Sequence, residues 1–253
     1  MRAAEKGDQM AKNRDSGVTK TPEPDVSDSG RIPGIDDARS LSEIAKFMMD
    51  NYGVAVSRSM TQYSVDSLKT ILKGVVEMMT KVPELKGILK TVGKDLQDGD
   101  GYAGIDFRGN LYVNPAVMKD MQTATKAYER DLSTGYHPEG TDVSNVITHE
   151  MGHAMEIALI HKKYPRNLTK QLNAWRNGDV ANDVVASAMD RAVPGWKADP
   201  RKAANAISDV SRYATQDASE TIAEAVSDYR SNGRNAKPLS VAIWGELQNR
   251  LRS

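Results

Sequence analysis

From Pro115 to the C-terminus, apolar residues recur every three or four positions, broken only by STGYHPEG, KKYPRN, AVPGWKADPR and SNGRNAKP. That spacing puts the apolar side chains on one side of a helix. This part of the chain is therefore expected to be almost wholly helical. Residues 88–114 read differently: the short runs ILKTVGKDL, DGDGYAGIDF and RGNLYVNP are separated by turn residues, with Gly109-Asn110 as a hairpin turn. Three small antiparallel strands followed by helices make an α+β arrangement, a small antiparallel or mixed sheet with a mainly helical remainder.

Upstream, Val65, Leu68, Ile71, Leu72, Val75, Val76 and Met79 keep helical spacing until Pro83 stops the pattern, and VAVS before them is a short extended piece. Ser40 and Glu43 have capping-box spacing and Gly53 suits a helix C-terminus, so the folded part is expected to start near residue 39. Residues 1–38 are rich in Lys, Asp, Ser, Gly and Pro and lack periodic apolar positions. Such a segment cannot bury enough surface to offset its ordering entropy. The expected organisation is a disordered tail, 1–38, and one domain, 39–253, with no internal repeat.

Composition excludes several classes. Lys+Arg and Asp+Glu each total 34 and the sequence pI is about 6.9, so no global field attracts phosphate backbones or anionic membranes. Nucleic acid and membrane are not expected partners. The N-terminus lacks the apolar core of a secretory signal. The expected location is the cytoplasm, with virion association or export by a non-Sec route left open. With no Cys, the chain has no disulfide or thiolate nucleophile, and only His and carboxylates can hold a transition metal.

The stretch THEMGHAME, residues 148–156, sits in a helical pattern that Thr141, Asp142 and Ser144 can cap. On that helix His149 and His153 are four residues apart and project from one face, with Glu150 beside them. Zinc bound by two neutral imidazoles and one carboxylate keeps a position for water, and a neighbouring carboxylate can take the water's proton. The third ligand must come from elsewhere. In SETIAEAV, Glu220 and Glu224 are one turn apart and point the same way, one to bind the metal and the other to accept the free N–H of a ligating imidazole. An unbroken helix carries Glu156 a turn past the ion, so a surface or capping role is expected for it. His137, in a loop before Pro138, and His161, two turns beyond His153, are expected to be solvated. Glu156 and Leu159 stand where the metzincin pattern needs Gly and His, which excludes that branch.

HExGH, then Tyr213, then a Glu seven residues later within E-x-x-A-E-A, resembles the gluzincin metalloproteases, most closely the catalytic domain of anthrax lethal factor. Zincin domains of phage proteins and secreted bacterial toxins look similar. The likeness covers residues 145–230, with GIDFRGNLYVNP resembling the strand pair that precedes the active-site helix. It implies a zincin-like fold, one Zn2+ per chain, Glu220 as third ligand beside His149 and His153, and Glu150 as general base. It also implies Tyr213 as oxyanion stabiliser and Glu224 as the carboxylate behind a ligand. Thr221 and Ile222 depart from the aromatic pair that follows the ligand Glu in that family, which bears on substrate choice. The implied activity is zinc-dependent hydrolysis of a protein or peptide substrate, with LYVNP as the sheet edge that would pair with it. The alternative is a phage or prophage morphogenesis component, or a toxin-complex component, whose zincin domain serves mainly in protein binding.

Overall fold

A computed structural model describes residues 31–95 and 101–253. Residues expected in the tail already carry regular structure: α1 (Pro33–Asp36) is a single turn with proline at its first position, and its Ile35 is fully buried. Asp36 accepts the Ile32 N–H at 2.8 Å and pairs with Lys73 at 2.6 Å. The boundary expected after residue 38 therefore moves to Ile32, where the compact unit ending at Ser253 begins. Two isoleucines among polar residues are too sparse to show a period. The rest of the expected tail, residues 1–30, lies outside the described residues.

Helix α2 (Leu41–Tyr52) starts at Ser40, whose Oγ accepts from Glu43 N at 3.2 Å, and ends at Gly53 in the left-handed region. The Glu43 carboxylate reaches back to Arg39 N at 2.7 Å rather than to Ser40. Strand β1 (Ala55–Val56) leads to α3 (Val65–Lys81), which buries Leu68, Ile71, Leu72, Val75, Val76 and Met79 as its spacing requires.

The sheet differs from expectation in two ways. It contains β1, β2 (Thr91–Asp95), β3 (Ala103–Ile105) and β4 (Asn110–Val113) in the order β1-β2-β4-β3. Only β3 and β4 are antiparallel; β1 with β2 and β2 with β4 are parallel. The hairpin docks through its second strand, so β4 lies inside the sheet and β3 is one of its two edges among the described strands, with β1 the other. LYVNP is thus an inner strand. The hairpin turn spans Asp106 to Gly109, closed by Gly109 N donating to Asp106 O at 2.9 Å, and Asn110 already belongs to β4. A Cβ on Gly109 would lie 1.9 Å from Ile88 O, so only glycine permits this approach.

The remainder is helical, as its period predicts: α4 (Pro115–Met118), α5 (Met121–Ser133), α6 (Asn145–Lys163), α7 (Leu168–Asn177), α8 (Asp179–Ala192), α9 (Pro200–Val210), α10 (Ala218–Asn232) and α11 (Pro238–Arg252). The fold is α+β, mostly helical, with a small mixed sheet. Helix α6 is its axis. It packs against α3, α10, α11 and β3, and buries Ile147, Met151, Met155, Ile157 and Ile160 around its circumference. Each such side chain contributes about 1.5–3 kcal/mol. Polar groups on α6 are enclosed by this packing, and they need partners there. Among the described residues, no helix is long and apolar enough to cross a membrane.

Candidate metal centre

His149 and His153 project from α6 with ring centroids 4.9 Å apart. Facing them, α10 begins at Asp217, whose carboxylate accepts Glu220 N at 2.9 Å and so fixes the first turn. That cap aims Glu220 back at α6. Its Oε2 lies 3.0 Å from His149 Nε2 and 3.5 Å from His153 Nε2. One ligand atom from each of the three residues falls within 4.8 Å of the others, a group that could hold a metal ion. The fit is also chemical. Glu220 Oε2 is shielded from solvent and aligned with no hydrogen-bond donor, close as the two rings are. Three side chains that each offer an electron pair and converge on one point match the demand of a cation.

Glu224 behaves differently. It is 1 % exposed, and its Oε1 lies 2.8 Å from Nδ1 of His149, on the side of the ring away from Glu220. The two acids of α10 therefore divide the roles left open by spacing alone: Glu220 faces the Nε2 atoms and Glu224 backs one ring. Burial opposes charge on His149, but the carboxylates of Glu220 and Glu224 outweigh it and raise the ring's pKa well above the ordinary value. Burial likewise opposes charge on Glu220 and Glu224. The imidazoles of His149 and His153 at the first, and of His137 and His149 at the second, nevertheless hold both below the carboxylate range. A proton and a metal cation thus compete for the same atoms.

Glu150 is buried beside the pair. Burial pushes its carboxyl upward, partly offset by His149 and His153. Tyr213 stands in a short 3-10 turn before α10, its ring stacked 5.6 Å from His149 and 4.8 Å from Tyr136. Burial first, then the negative charge of the nearby Glu220 carboxylate, raise the phenol's pKa and keep its proton on. A cavity of about 240 Å3 opens against these residues, lined by Tyr102, Ala103, Tyr136, His149, Glu150 and Tyr213 among others.

Two expectations fail. His137 is not solvated: its ring stacks on Tyr128 at 4.3 Å and 1°, and its Nδ1 lies 3.6 Å from Glu224 Oε1. Glu156 is neither a surface nor a capping residue; it is fully buried, and Ser219 Oγ donates to its Oε2. Neither was legible locally, because α10 and the loop before α6 enclose these groups from distant parts of the chain. His161, also expected to be solvated, is half-buried against Phe107 at 5.1 Å; it takes no part in the group. The sequence gives no direct signal for Ser219, although it adjoins Glu220, nor for the packing role of Gly152. No protein-family model and no curated protein matches the sequence, and no solved structure matches the chain.

Proposed function

We propose that the protein is a zinc-dependent metallopeptidase of the gluzincin type. The observation that carries this reading is the position of Glu220 Oε2, 3.0 Å and 3.5 Å from the two Nε2 atoms. Bonds of about 2.0–2.1 Å in a tetrahedral site separate neighbouring ligands by about 3.4 Å. The two separations from Glu220 Oε2, 3.0 and 3.5 Å, are close to that spacing. Zinc in such a set supplies Lewis acidity and makes a water acidic enough to lose its proton near neutral pH.

The chain's own groups then divide the work. Glu150 takes the water's proton and passes it to the leaving amine, a role that suits a carboxyl whose basicity burial has increased. Tyr213, still protonated at neutral pH, donates to the oxyanion that develops on the substrate carbonyl. Glu224 accepts His149 Nδ1–H and so keeps the Nε2 lone pair directed at the site. An edge strand open to an extended substrate is β3, which packs against α6, and the adjoining cavity, lined by Ala103 and Glu150, receives a substrate side chain.

The test couples metal content to cleavage. Purified protein is expected to hold about one zinc per chain, lost in His149→Ala and Glu220→Ala and kept in Glu150→Ala. A peptide library should be cleaved by the unsubstituted chain alone. Zinc binding without cleavage in any of these proteins would instead define a binding module.

A further inference from the structure

Glu156 lies one turn beyond His153 on α6 and is fully enclosed. A leucine would fill that space without electrostatic cost, so the carboxyl calls for a reason other than packing. Its Oε2 accepts a hydrogen bond from Ser219 Oγ, and the same hydroxyl lies 3.5 Å from Nδ1 of His153. Ser219 directly precedes Glu220 in the first turn of α10. The other ring nitrogen of His153 is the one that faces Glu220.

We propose that Ser219 and Glu156 are positioning residues for His153: the Ser219 oxygen accepts Nδ1–H, and the hydroxyl donates its own proton to Glu156. The relay leaves the lone pair on Nε2 and points the ring at Glu220. Both imidazoles are then backed by buried carboxylates, His149 directly by Glu224 and His153 through a hydroxyl. The relay also ties the start of α10 to α6, so a shift that breaks it displaces Glu220 as well. The proposal rests on the metal-centre reading.

Zinc affinity, measured by competition with a chromophoric chelator, tests it on the full chain. Ser219→Ala and Glu156→Leu are each expected to weaken binding about tenfold or more, and Glu156→Gln, which keeps an acceptor for Ser219, by less. The double variant Ser219→Ala/Glu156→Leu should bind no more weakly than the worse single one, because both remove one relay. Melting of the metal-free proteins is followed in parallel. A purely structural Glu156 would lower that melting point and leave zinc affinity within about twofold of the original, which overturns the proposal, as would losses that add in full. If the unsubstituted chain binds zinc and both single variants bind it as tightly, only the positioning proposal fails. If the unsubstituted chain binds none, the metal-centre reading fails and takes this one with it.

Discussion

Gly152 on α6 faces Ala223 on α10 so closely that a Cβ added to the glycine would lie 2.8 Å from the Ala223 Cα. The missing side chain lets the two helices meet, and α10 carries Glu220 and Glu224. Gly152→Ala would gain about 1 kcal/mol in helix propensity but cost about 1–3 kcal/mol in overpacking against backbone. The net expectation is a lower melting temperature together with weaker zinc binding, since α10 must move outward. A variant that melts higher and binds zinc as before would show that the contact does not set the helix spacing.

Under the proposed reading, Glu224 acts through His149, whose Nδ1 it meets at 2.8 Å, rather than as a ligand. Glu224→Ala is expected to weaken zinc binding about 10- to 100-fold in chelator competition without abolishing it. Glu220→Ala should abolish it. Equal losses in the two variants would contradict this division of roles.

Tyr213→Phe removes a hydroxyl and little volume. It is expected to lower kcat about 100- to 1000-fold, with zinc content unchanged and KM little altered, as for loss of one oxyanion donor. Steady-state kinetics on a cleavable peptide decide the matter. A rise in KM alone would make Tyr213 a substrate-binding group instead.

Asp106 organises the hairpin that presents β3. Its carboxylate accepts from Arg108 N and Asn110 N, both at 2.9 Å, from Asn110 Nδ2 at 2.8 Å and from the Tyr112 hydroxyl at 3.0 Å. Partial burial pushes its pKa up, but these hydrogen bonds outweigh that and hold it below the ordinary value. A depressed folded pKa means the stabilisation is present above the unfolded-state value of about 3.9 and is lost as pH falls through the lower folded value. Asp106→Ala is expected to cost about 1 kcal/mol at neutral pH, by denaturant titration, and progressively less below pH of about 4. A cost independent of pH would assign the effect to hairpin geometry rather than to charge.

The helices and the two-histidine face of α6 were legible because their signals are local: a period for α3 and α10, and a four-residue spacing for His149 and His153. Glu220 and Glu224 were legible as a pair for the same reason. Their division between ligand position and support depended on how α10 approaches α6, which no period encodes. The parallel pairing of β2 with β4 was hidden because strand partners are chosen non-locally, and a one-turn helix anchored by Ile35 is too short to show a period. The enclosure of His137 and Glu156 has no local signal, because burial of a polar side chain depends on what folds over it.

The most direct measurement compares the zinc-loaded chain with zinc-loaded Glu150→Gln on one peptide library, with metal content matched. Cleavage at a defined sequence by the first, slowed at least about 100-fold in the second at equal zinc, is the result that a metallopeptidase with Glu150 as general base requires. Equal cleavage by both, or none by the fully loaded unsubstituted chain, would contradict it.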